Sequence, residues 1–161
     1  MNAPSLPLII RPDIEADRDA IAAIWHAGAS LPGVGPPVMP PPEEFRASLD
    51  EEIAAGWDVM VAERVGVIVG FIAITPRAAK LNQLFVAPGA IGSGVGRALL
   101  AHAQVAMPHG FTLFTRPSNP KACRFYEKAG MVALRDDVHP EYGDPITYYG
   151  WKPATRAQTS R

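Results

Sequence analysis

LFVAPGAIGSGVGRALLAHA, residues 84–103, passes from an apolar run through a nearly bare backbone into an apolar helix. Leu84, Phe85 and Val86 end a segment with strand character, and Pro88 and Gly89 break it. Gly92, Gly94 and Gly96 then occupy alternate positions, and Leu99, Ala103 and Met107 form the inward stripe of a helix from about Gly94 to Met107. Alternate glycines at a helix start let a ligand approach the backbone closely. The first turn of a helix offers unpaired N–H groups and a partial positive charge, so the expected ligand is an anion. The spacing excludes two phosphate motifs. A dinucleotide fingerprint requires glycine where Arg97 stands, and a P-loop requires lysine where Val95 stands. A pyrophosphate lying on backbone amides fits what is left.

Outward from this stretch the chain reads as mixed α/β. Leu8–Arg11 is a short strand, followed by a helix with Asp17 as its N-cap and Ile21, Ile24, Trp25 and Gly28 on one face. LPGVGPPVMPPP, residues 31–42, is an extended loop that reads first as a plain connector and, in the sharper reading, as a wall of a substrate pocket. A second helix carries Glu43 and Glu44 in its first turn and buries Phe45, Leu49 and Ile53. Trp57–Glu63 and Val67–Thr75 form a hairpin, and Lys80–Val86 a further strand. Beyond the glycine helix come a strand, Phe111–Thr115, and a helix started by Asn119-Pro120 and ended at Gly130. Strands over Met131–Arg135 and Ile146–Trp151 close the order, joined by the polar stretch DDVHPEYGDP.

Composition narrows the function classes. The chain has 161 residues, 48% hydrophobic and 19% charged, with net charge −1 and one cysteine. That predicts one domain over 1–161 with frayed ends at 1–6 and 153–161. The charge argues against nucleic acid or an anionic membrane as main partner. A lone Cys123 builds no disulfide framework and suits a cytoplasmic location. The start, MNAPSLPLII, lacks the basic and apolar regions of a signal peptide, and no apolar run is long enough to span a bilayer.

The glycine stretch together with NPKACRFYEKAGM, residues 119–131, resembles the GCN5-related N-acetyltransferase (GNAT) family. The first matches that family's pyrophosphate loop, Gln/Arg-x-x-Gly-x-Gly/Ala, and the second its Asn-x-x-Ala-x-x-Phe/Leu-Tyr-x-x-x-Gly-Phe motif. The resemblance implies a mostly antiparallel central sheet of about seven strands with four flanking helices, splayed between the fourth and fifth strands. It implies acetyl-CoA as acyl donor, no metal, and an amine acceptor that is a small molecule or a protein amine; a homodimer stays open. Leu84, Phe85 and Val86 fall where the splayed strand pairs with the pantetheine arm. Ile91, Gly92, Ser93, Gly94, Val95, Gly96 and Arg97 fall on the pyrophosphate loop. Asn119 falls on a cofactor contact, and Tyr126 faces the cofactor sulfur as general acid. Two departures stand out: Ile91 replaces the polar Gln/Arg, and Met131 the final aromatic.

The basic residues Arg97, Arg116, Lys121, Arg124 and Lys128 cluster around both motifs and suit the cofactor phosphates. Acceptor-pocket candidates are Trp25, His26, His139 and Tyr148, with the proline loop. No Asp or Glu lies in Lys80–Val86, so the base for the amine is not evident, and Glu63 is the nearest acidic residue. A non-catalytic acyl-CoA-binding or regulatory module on the same scaffold is the rival reading.

Overall fold

The computed structural model describes residues 6–154. The expected frayed ends therefore fall largely outside the described residues. Seven strands form one sheet: β1 (Leu8–Pro12), β2 (Asp58–Arg64), β3 (Val67–Thr75), β4 (Lys80–Val86), β5 (Phe111–Thr115), β6 (Val132–Val138) and β7 (Pro145–Trp151). The helices are α1 (Arg18–Ala29), α2 (Pro42–Ala55), α3 (Val95–Ala106) and α4 (Pro120–Lys128). The spatial order is β1-β2-β3-β4-β5-β7-β6. All neighbours are antiparallel except β4 and β5, which run parallel. This is the architecture that the resemblance implied.

Alternation along β3 shows why the sheet needs helices on both faces. Ile72 and Ile74 pack with Val95, Leu99, Leu100 and Ala103 of α3. Phe71 and Ala73 turn to the other face and pack with Ile21 and Ile24 of α1 and Phe45 and Leu49 of α2. Successive strand residues point to opposite faces, so a strand apolar at every position is buried on both.

The sheet is not continuous. β3 pairs with β4 along the whole length of β4, but β4 meets β5 only at Lys80 and Thr112. From Leu81 to Val86 the second edge of β4 has no register partner on β5, and the two strands diverge around a cavity. A register shift opposite Ala73/Ile74 bulges β4 at Asn82, whose side-chain amide donates to Thr75 Oγ1 at 2.7 Å. A bulge bends and twists its strand, which turns β4 away from β5.

Two sequence expectations are corrected. Asp17 occupies the N-cap position of α1 as expected, but its side chain does not cap the helix: it ends a 3₁₀ turn, and its carboxylate accepts the Ile14 N–H at 2.9 Å. The same carboxylate takes two bonds from the Arg11 guanidinium, at 2.7 and 3.0 Å, and these hold its pKa below the ordinary carboxylate range. The penultimate strand is also longer than expected. It runs to Val138, because pairing with β7 rather than side-chain burial sustains it; every residue of β6 is exposed. The polar connector shrinks to residues 139–144.

Candidate active site

The site is built where the sheet opens. α3 begins at Val95, with Gly94 as N-cap at φ +87°, and Gly92 stands at φ +83°. An added Cβ would meet nothing within 4 Å at either position, so glycine is there for its backbone conformation. The first helical bond of α3 runs from the Ala98 N–H to the Gly94 carbonyl at 3.1 Å. The amides of Val95, Gly96 and Arg97 therefore have no partner within the helix and face outward from its positive end.

Val95 is buried at 1% exposure and anchors the turn, whereas Ile91, Gly92, Ser93, Gly94 and Arg97 are exposed. Arg64 braces the loop from the β2–β3 hairpin, donating to Ser93 Oγ at 3.0 Å and to the Ser93 carbonyl at 3.2 Å. Gly96 serves a different purpose. A Cβ there would lie 3.4 Å from the Phe125 ring and 3.6 Å from Val86, so glycine lets α3, α4 and the end of β4 meet.

Below this junction lies a cavity of about 140 Å³ between β4 and β5. Leu84 and Phe85 form one wall, Phe114 and Thr115 the other, and Asn119 and Tyr126 of the α4 segment close the end. Val34 of the proline loop and His139 of the β6–β7 loop complete the mouth. Phe85 is held by α1: a Cβ on Gly28 would come within 2.4 Å of its ring. Asn119 caps α4 as expected, its Oδ1 accepting the Ala122 N–H at 3.2 Å. Tyr126 is 8% exposed, and its hydroxyl makes no hydrogen bond among the described residues. Burial pushes the phenol above its ordinary value, because the anion has little to solvate it.

Arg116 ties the mouth together. Its guanidinium pairs with Asp144 in the β6–β7 loop and donates to the Val34 carbonyl at 3.2 Å. Beside it, Ser118 Oγ donates to the Gly33 carbonyl at 2.7 Å. Thus Arg116, one of the basic cluster expected to serve the cofactor phosphates, is engaged at the opposite end of the cavity.

The structure thus brings Leu84, Phe85, Asn119, Tyr126 and His139 onto one cavity; Val86 and residues 91–97 lie outside its lining, with Gly96 against Val86 and Phe125. Lys121, Arg124 and Lys128 are exposed along α4. Trp25 lies outside the lining, packed edge-on against Phe45 and beside Trp57 and Phe71. His26 packs on Phe45. Tyr148 stands one layer back, its ring against Phe114 at 5.7 Å and under the Arg135 guanidinium at 4.0 Å. Glu63 pairs with Arg11 at 3.4 Å on β2. No carboxylate appears among the described residues that line the cavity. Val34 comes from the proline loop expected as a pocket wall, whereas Asn82, Gln83, Phe114 and Thr115 are lining residues that sequence reasoning did not single out.

Residues 55–131 match the family model described as an acetyltransferase (GNAT) domain. The whole architecture superposes on a GCN5-related N-acetyltransferase from Rhodopseudomonas palustris with TM-score 0.73, at 20% identity, over 94% of this chain and 99% of that one. The chain has the GNAT fold, and residues 55–131 match that family's domain model. A second GNAT-fold neighbour is yncA from Salmonella typhimurium, solved with its cofactor acetyl-CoA: TM-score 0.69, 18% identity, 96% and 98% of the two chains. Among curated proteins the chain is 35% identical over 100 residues to phosphinothricin N-acetyltransferase from Alcaligenes faecalis. That match covers 57% of this chain and 49% of the relative, so the chain spans about half the length of the curated relative it matches. Among the described residues no helix is long and apolar enough to cross a membrane, and no cluster of metal-binding side chains occurs.

Proposed function

We propose that this protein of GNAT fold is a member of the GNAT family and an N-acetyltransferase that moves the acetyl group of acetyl-CoA onto a primary amine by direct attack in a ternary complex. The single observation that supports the reading is the unpaired edge of β4, which lines the cavity of Tyr126 at Leu84 and Phe85 and ends at Val86 beside Gly96 of α3. In this reading the amides of residues 92–97 take the pyrophosphate. The free edge of Leu84–Val86 pairs with the pantetheine amides as a missing strand would. Asn119 keeps its cap through Oδ1 and turns its Nδ2 to the pantetheine. Lys121, Arg124 and Lys128 contribute a diffuse positive field near the phosphates. The acceptor is small or amino-acid-like, a class that the named relative's phosphinothricin also fits.

The chemistry has three requirements: an amine without its proton, a place for the developing oxyanion, and a proton for the departing thiolate. Tyr126 supplies the last. A free thiol has a pKa of about 8.5 and a free phenol about 10, so the transfer is mildly uphill in water. In the cavity the thiolate loses its hydration as the phenolate does, and burial raises both. The two acids stay matched, and the phenol remains protonated until the C–S bond breaks. The nitrogen attacks the carbonyl carbon, sulfur leaves with the bonding pair and takes the Tyr126 proton, and the phenolate regains a proton from solvent as the products depart. With no carboxylate lining the cavity, the amine loses its proton to water, relayed by the Thr115 hydroxyl and backbone carbonyls to solvent.

The same absence favours a second reading, an acyl-CoA-binding module without turnover. A panel of primary amines with acetyl-CoA, followed by release of free thiol, separates the two. Acetylation of at least one amine, lost in Tyr126→Phe, is the expected result. Tight acetyl-CoA binding with no thiol release from any amine favours the module.

A further inference from the structure

His139 has its chemistry fixed by the loop that carries it. Its ring Nδ1 accepts two backbone N–H groups, from Glu141 at 3.1 Å and Tyr142 at 3.2 Å. The loop is closed around it: the His139 N–H donates to the Asp144 carbonyl at 2.7 Å, and the Gly143 N–H to the His139 carbonyl at 2.8 Å. A nitrogen that accepts two bonds carries no proton, so the neutral ring bears its hydrogen on Nε2. Nε2 has no hydrogen-bond partner among the described residues, and the ring lines the cavity mouth against the edge of Phe114. The charged neighbours are Arg116 from the end of β5 and Asp144 and Glu141 from its own loop. Burial first, and then the Arg116 cation, push the imidazole below its ordinary value. This histidine is therefore a poor base: Nε2 already holds a proton, and Nδ1 faces two donors.

We infer that His139 binds the acceptor as an Nε2–H donor, next to the Arg116 guanidinium, and so selects amines that carry an anionic oxygen group, a carboxylate in the first instance. The inference rests on the acyl-transfer reading of the cavity. Its substance is the lining itself. The mouth presents the His139 Nε2–H, the side-chain amide of Gln83 and the Arg116 N–H groups left over from Asp144 and the Val34 carbonyl, while the carboxylate beside it, Asp144, is already paired with Arg116. Such a lining suits an acceptor's oxygens better than its nitrogen.

The test has two arms. In the first, long-range ¹H–¹⁵N spectra of the ¹⁵N-histidine protein, with His139 assigned by its absence in His139→Asn, give the tautomer. They are repeated in saturating CoA with each proteinogenic L-amino acid and its α-amide. An Nε2–H form whose proton shifts with at least one acid and not with its amide is expected. An Nδ1–H form, or no shift with any acid, overturns the proposal. In the second arm the same compounds are acetyl acceptors. Asparagine keeps an oxygen where Nδ1 accepts the two loop amides, but its shorter side chain leaves no donor at the Nε2 position. His139→Asn is expected to raise KM for the best acid about 10-fold or more, with kcat within about 3-fold and the amide unaffected. An amide used as well as its acid, or a loss in kcat alone, also overturns it. A ligand-dependent Nε2 shift without any thiol release would sink the acetyltransferase reading and leave the donor role standing.

Discussion

In the proposed reading the two ends of the site recognise by different means. At the upper end the working groups are backbone: amides at the start of α3 and the free edge of β4. At the mouth they are side chains, held by contacts between segments far apart in the chain. Arg116 reaches Val34 across 82 positions and Asp144 across 28. Backbone recognition leaves a local trace, because bare amides and positive φ call for glycine. Side-chain recognition across distant loops leaves none, since each residue taken singly has an ordinary surface role. The upper end should therefore tolerate side-chain deletion and fail on inserted charge, whereas the mouth should respond to truncation.

Tyr126 stands where the two ends meet, and it carries the largest expected effect. Tyr126→Phe keeps the ring and removes the hydroxyl; kcat should fall about 10²-fold, with acetyl-CoA affinity within about 3-fold. Since burial raises this phenol, any alkaline loss of wild-type kcat that depends on it lies above pH ~10. Wild-type turnover by Tyr126→Phe across the pH range would reduce Tyr126 to a packing residue.

Gly94→Asp places a carboxylate against the expected phosphates, and calorimetry should show acetyl-CoA binding weakened by about 30-fold or more. The variant also bears the strain of a side chain at φ +87°. Gly94→Asn carries the same strain without the charge, and should bind within about 5-fold of wild type. Equal losses in both would make the effect conformational rather than electrostatic.

Asn119→Asp preserves the oxygen that caps α4, so the melting temperature should hold while acetyl-CoA affinity drops about 10-fold through like charge. A joint fall of both would leave Asn119 as a cap only. At the mouth, Tyr148→Ala removes the ring behind Phe114 and should raise the acceptor KM about 5-fold while leaving that of acetyl-CoA unchanged. The reverse pattern would invert the comparison of the two ends.

The same contrast explains what could be read beforehand. The glycine loop, α4 with its Asn119 cap and the strand order follow from local rules. Trp25 shows the limit of such rules: an aromatic residue beside the proline loop reads equally as pocket wall or as core, and only the positions of Phe45, Trp57 and Phe71 decide for core packing. Asp17 misled for a related reason. It sits before a helix, but the Arg11 guanidinium on β1 and the Ile14 amide claim its oxygens. Arg116 looked like a phosphate ligand by its place in the chain, and Asp144 draws it the other way.

The central claim is that one groove joins the start of α3 to Tyr126 and holds acetyl-CoA along its length. A crystal structure of the protein soaked with acetyl-CoA tests it most directly. The account predicts the pyrophosphate on the amides of residues 92–97, the pantetheine along Leu84–Val86, and the thioester sulfur about 3–3.5 Å from Tyr126 Oη. Acetyl-CoA bound with its pyrophosphate away from the glycine loop, or with its sulfur out of reach of Tyr126, would contradict it.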